Sequence, residues 1–131
     1  MEKYFHFDRN KSLQELEGQE WDKQNFDSHL VLTCHKLMKK TIRLFEVEDL
    51  RIMIGQEIGL DYLIPLALET LEDNIFAEGD MYSGDLLDTV LRIDNNFWRN
   101  NPIYKTDLED ILEKNINKLK NKFASFCKRF I

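Results

Sequence analysis

Apolar residues recur along this chain at steps of three and four between short polar breaks, whereas strict alternation rarely outlasts four residues. The pattern predicts an all-α fold, a compact bundle of about six or seven helices that ends in a long amphipathic C-terminal helix. Ser12-Leu-Gln-Glu15 has the spacing of a capping box, in which the two side chains each accept a backbone N–H at a helix start, and Gly18 supplies the stop. Trp21 and Phe26 then plug the core from a loop. Asp27 or Ser28 caps a second helix whose buried stripe is Leu30, Val31, Cys34, Leu37 and Met38, with Lys39 and Lys40 at the negative end of its dipole. A third helix runs from about Glu46 to Gln56.

The Gly55–Gly59 turn leads into a fourth helix, about Tyr62 to Asp73, whose broad apolar surface marks it as the buried central one. Its start is placed so that Pro65 falls in the first turn; deeper in, the missing donor and the ring would cost about 3 kcal/mol. Leu86, Leu87, Val90 and Leu91 mark a fifth helix, and Asn95 to Asn100 a short sixth anchored by Phe97 and Trp98, with both tryptophans buried. Thr106-Asp-Leu-Glu109 repeats the capping-box spacing. Leu108, Leu112, Asn115, Leu119, Phe123, Phe126 and Phe130 then follow at steps of 4, 3, 4, 4, 3 and 4, which predicts a helix over about 107–129. Its other face carries Lys114, Lys118, Lys120, Lys122, Lys128 and Arg129. No repeat, linker or low-complexity tract divides the chain, so residues 1–131 read as a single domain.

Charge changes this picture by giving the bundle a polarity. The chain has 18 Lys+Arg against 24 Asp+Glu, a net charge of −6, but residues 46–94 alone hold thirteen carboxylates against Arg51 and Arg92, a local −11. Residues 113–131 carry +5. The acidic middle favours a cationic partner at low salt. Two cysteines suit a reducing compartment, the N-terminal residues lack the pattern of a secretory signal, and no apolar run approaches the ~20 residues that cross a bilayer. A cytoplasmic protein with no membrane partner is expected.

Catalytic chemistry finds little support. His29 and His35 lie on opposite sides of one helix, and Cys34 beside a surface His35 makes no recognised ligand spacing, so no metal is expected. No pair of carboxylates has an apolar flank that would separate their pKa values, and the Glu78–Asp85 loop lacks the alternate ligands of a calcium loop. The five glycines fit no phosphate loop, dinucleotide fingerprint or nucleophile elbow. No catalytic residue and no cofactor follow. The lysine-rich last helix has ingredients for RNA or an anionic membrane, but its apolar stripe is better used in the core, so no direct nucleic-acid contact is expected.

Three runs carry a resemblance. They are Trp21…Phe26-Asp-Ser-His-Leu-Val31; Val47-Glu-Asp-Leu-Arg51…Ile54-Gly-Gln56…Gly59-Leu60…Tyr62-Leu63…Pro65-Leu-Ala67…Leu71; and Glu78-Gly-Asp80…Tyr82…Gly84-Asp-Leu-Leu87…Phe97-Trp98. In this order and at this spacing the chain resembles the immunity proteins of contact-dependent growth inhibition (CDI) systems, over residues 12–100. It departs from them at Ile75, where the family often has proline after the asparagine that ends the central helix. Residues 101–131 lie outside the resemblance.

The resemblance implies a stoichiometric inhibitor of the C-terminal toxin domain of a large secreted exoprotein, with no catalytic residues of its own. Many such toxins are nucleases with basic substrate surfaces, which an acidic inhibitor complements. An acidic helical adaptor for a basic protein outside toxin defence is the second reading, and a small hydrolase a distant third. Residues shared among inhibitors of different toxins are expected to hold the fold: Asp49 pairs with Arg51 or caps a neighbouring turn, and the Glu78–Asp85 loop caps the fifth helix through Ser83 or Asp85. The partner-binding set is sought among carboxylates at helix ends and in loops, which can be presented without disturbing the apolar stripes: Asp61, Glu72, Asp73, Asp80 and Asp94, with Tyr82 as an amphipathic anchor.

Overall fold

Polar side chains that fold back on the backbone set the starts of the first three helices. In the computed structural model, which describes residues 7–18 and 28–122, Ser12 Oγ accepts the Glu15 N–H and Glu15 Oε1 accepts the Ser12 N–H, both at 3.2 Å, and α1 (Leu13–Glu17) follows. Gly18, in the left-handed region, ends it. Ser28 accepts the Val31 N–H to start α2 (His29–Lys39). After a 3-10 turn at Ile42–Leu44, Asp49 accepts the Glu46 N–H at 3.0 Å and α3 (Val47–Gly55) begins. The remaining helices are α4 (Leu60–Asp73), α5 (Asp85–Leu91), α6 (Asn95–Asn100) and α7 (Pro102–Lys114), and helical backbone returns over 116–122. The fold is all-α; among the described residues the only β pairing is an isolated bridge from Ser12 to Thr41. No helix of the described residues is long and apolar enough to cross a membrane.

α4 is the central helix. Leu63, Ile64, Ala67, Leu68 and Leu71 are fully buried, and α3, α5 and α7 all pack against it. α3 and α5 lie side by side and run the same way. Arg51 in the middle of α3 meets Asp85 at the start of α5, Gly55 at the end of α3 faces the Thr89 methyl in the middle of α5, and past both helices Glu57 accepts the Asp94 N–H. Parallel neighbours need a return path, and α4 provides it.

Four expectations are corrected. Left-handed Gly59 (φ +66°) lets α4 start at Leu60, so Pro65 is its sixth residue and lies beyond the first turn. The missing N–H leaves the Asp61 carbonyl without a helical donor, but Asp61 is exposed and water can take its place, while the buried proline ring adds to the core. In α2 the stripe begins a turn late. Leu30 and Val31 are each 42% exposed, and burial starts at Cys34 and includes His35, which therefore is not a surface residue. The last helix starts at Pro102, where a fixed φ and an absent donor suit the first helical position, so exposed Thr106 and Glu109 cap nothing. Finally, α7 stops at Lys114. The Asn115 side chain donates to the Ile111 carbonyl at 2.8 Å, and the helix expected over 107–129 is interrupted there.

Other expectations hold. Trp98 is buried, and Tyr104, Leu108 and Ile111 bring α7 into the core, with Leu112 and Leu119 packed at its edge. Trp21, Phe26, Asp27, Phe123, Phe126, Lys128, Arg129 and Phe130 lie outside the described residues. Two substitutions test this packing in urea unfolding followed by circular dichroism. Ile111→Ala should cost about 2–5 kcal/mol, since the side chain is 1% exposed. Gly59→Ala should cost about 1–3 kcal/mol, because a Cβ there is strained at φ +66° and comes within 2.8 Å of both Leu13 methyls.

Candidate functional site

Two runs distant in sequence, Val47–Arg51 and Glu78–Leu87, come together where α3 begins beside the loop before α5. Arg51 donates from Nε and Nη2 to the two oxygens of Glu48 at 2.6 and 2.5 Å, a forked pair one helical turn apart. The same guanidinium lies 3.8 Å from Asp85 Oδ2. Asp85 is 2% exposed, and its carboxylate gathers the loop: Oδ1 accepts the Gly79 N–H at 2.7 Å, and Oδ2 accepts those of Met81 and Tyr82 at 3.1 and 3.3 Å. Glu48 adds the Asp80 N–H at 2.9 Å. Gly79 has no room for a side chain, since a Cβ there would lie 2.5 Å from Glu48 Oε1 and 3.3 Å from the Glu48 backbone. From the other side Lys122 donates to the Ser83 carbonyl and stands 4.7 Å over the Phe76 ring.

Electrostatics follow this wiring. The Arg51 hydrogen bonds lower the Glu48 pKa, against the opposing effect of burial, and the Asp80 N–H helps. For Asp85, burial alone pushes the carboxyl up, but three backbone donors and Arg51 outweigh it and the pKa is lowered. Hydrogen bonding to Asp88 raises the Tyr82 phenol, and burial raises the Cys34 thiol, which makes it a poor nucleophile. Among the described residues no three His, Cys, Asp or Glu side chains are grouped to hold a metal ion.

All six residues chosen as partner contacts are exposed. They do not form one cluster. Asp61 stands in the first turn of α4, where after burial it is the second influence raising both Glu17 and Tyr104. Glu72 and Asp73 are in the last turn of α4, about 17 Å further along the axis, with Lys114 3.9 Å from Glu72. Asp94 caps α6 by accepting the Asn96 N–H. Asp80 and Tyr82 share the loop, and the structure joins to them residues that the sequence reading passed over. The Tyr82 hydroxyl donates to Asp88, whose Oδ2 also accepts from Arg92 Nη2 at 3.0 Å. The Asp88–Arg92 spacing of four was a visible signal; Tyr82 joining it depends on the loop.

Of the alternatives left open, Asp49 caps the turn at Glu46 and pairs with Lys40 at 2.6 Å, not with Arg51. Asp85 binds the loop backbone, while Gly84 is the cap of α5.

A family model for CDI immunity proteins matches residues 15–111, from α1 into α7. The chain belongs to the CDI immunity proteins. Neither the curated proteins nor the solved structures give a significant match. Within this CDI immunity protein Glu48, Arg51 and Asp85, from two of the runs that carry the resemblance, hold the loop, while Asp80 and Tyr82 of the same runs, with Met81, are exposed on it. The match also takes in the first ten residues of α7, which the resemblance over 12–100 had left aside.

The cluster should make stability acid-sensitive in a definite direction. Glu48 and Asp85 titrate below their ordinary values of 4.5 and 3.8, so their contribution is complete above those values and is lost as pH falls through the lowered ones. Asp85→Asn should flatten the fall in melting temperature below about pH 4. Asp85→Ala, which strands three backbone donors and Arg51, should cost about 3–5 kcal/mol at neutral pH. Melts of Asp85→Asn with the acid slope of the parent would disprove this assignment.

Proposed function

We propose that this CDI immunity protein binds and neutralises its cognate toxin domain, the C-terminal part of a large exoprotein delivered by neighbouring bacteria, in the cytoplasm of the producing cell. Family membership carries the reading. The toxin is a nuclease, and the acidic side of the inhibitor meets the basic surface that would hold its nucleic-acid substrate. Supporting this, residues 46–94 carry −11, and Asp61, Asp73, Asp80 and Asp94 are exposed with no ion-pair partner among the described residues. Charges left unpaired at a surface steer a cationic partner into encounter. The protein acts by occupying the toxin, one to one, and not by catalysis.

The decisive experiment is co-expression with the toxin domain encoded beside this gene, followed by copurification and a growth assay. Protected growth and a stable complex are expected. Single Lys replacements at Asp61, Glu72, Asp73, Asp80 and Asp94 should slow association and flatten its salt dependence, while loss of the Tyr82 ring should mainly speed dissociation. Folded charge reversals that leave association, affinity and protection unchanged would place the toxin on another surface.

A further inference from the structure

The outer face of α5 holds apolar surface that the core does not use. Met81, Tyr82 and Leu91 are 65, 49 and 50% exposed, whereas Leu86, Leu87 and Val90 on the inner face are buried. Between Tyr82 and Leu91 lies Asp88, which accepts from both the Tyr82 hydroxyl and Arg92. The two donors differ. Tyr82 rides on a loop fixed by Asp85 and Glu48, so its ring is held in place before any partner arrives, and anchors ordered in advance lose little entropy on binding. Arg92 is 76% exposed, and exposed pairs four apart on a helix are among the weakest ion pairs. It is a replaceable ligand of Asp88. Alongside, a groove of about 320 Å³ runs between α3 and α5, lined by Ile52, Gly55, Thr89 and Ile93.

We propose that this face docks the toxin through one basic side chain, an arginine or lysine with apolar neighbours, which takes the place of Arg92 on Asp88 while those neighbours cover Tyr82 and Leu91. The proposal rests on the toxin-binding reading above and specifies its centre. Charge favours this occupant. Residues 78–94 carry five carboxylates against Arg92 alone, a net −4, so a cationic partner is drawn in and a second copy of this chain, presenting the same sign, is repelled. Asp85 and Glu48 are already saturated by the loop and Arg51, which leaves Asp88 as the acceptor with an exchangeable partner.

Calorimetric titration with the toxin domain encoded beside this gene tests the proposal, with thermal melts to confirm that each variant folds. Asp88→Asn should weaken binding at least about tenfold, and Leu91→Ser and Tyr82→Ala should do the same, with Tyr82→Phe milder because the ring remains. The distinguishing variant is Arg92→Gln, which removes the competitor and should tighten binding about threefold or more. Arg99→Gln, an exposed cation lost from α6, should change it far less. Equal effects of Arg92→Gln and Arg99→Gln would reduce the gain to overall charge and overturn the proposal. So would parent-like binding by Asp88→Asn and Leu91→Ser while the parent binds the toxin, a result that leaves the functional reading intact. Self-association abolished by Leu91→Ser, with toxin affinity unchanged, would assign the face to a second copy instead. A parent that fails to bind the toxin would remove the functional reading and this proposal together.

Discussion

Arg51 holds the start of α3 against the loop before α5 by standing between Glu48 and Asp85. A carboxylate as buried as Asp85 is tolerated only where its oxygens are filled, and here three backbone N–H groups and a guanidinium fill them. The arrangement works in both directions. The cation keeps Glu48 ionised and, behind the three backbone donors, helps keep Asp85 so, and the ionised acids give the Gly79–Tyr82 backbone the acceptors it would otherwise have to seek from water. The close approach at Gly79 and the turn at Gly84, with φ +87°, are the steric conditions for that exchange.

How far the sequence discloses such a structure depends on whether the information is local. The capping box at Ser12 was readable and correct; the same spacing at Thr106 was misleading, because Asn101-Pro102 supplies an earlier start with proline at its favoured position. Nothing in four residues distinguishes the two cases. The α2 stripe was right from Cys34 on and wrong at Leu30 and Val31, since periodicity gives the face but not how far along it the neighbours α1 and α3 extend. Glu48 with Arg51 is a pair that helical spacing makes visible. Asp85, their third member, is brought in only by the parallel packing of α3 and α5, and no window of sequence contains it. The six residues sought as partner contacts are exposed, but their spread over both ends of α4 and the joining of Asp88 to Tyr82 are consequences of tertiary structure.

The same packing changes what the charge count means. Of the thirteen carboxylates between residues 46 and 94, Glu48, Asp49, Glu69, Glu72, Asp85 and Asp88 are engaged in ion pairs, with Arg9, Lys40 and Lys114 reaching in from outside the stretch. The formal −11 overstates the local field, since part of it holds helices and loop together. What remains is carried by side chains at helix ends and in loops, where a carboxylate stays hydrated and ionised until something displaces its water.

One property of the loop reaches beyond a single complex. Met81 and Tyr82 are secured to Asp85 through their N–H groups, which every residue except proline possesses. The frame is therefore indifferent to the side chains it displays. A loop built this way can exchange one set of displayed groups for another without unfolding its support, so what it shows to solvent and what holds it in place are free to change on separate residues.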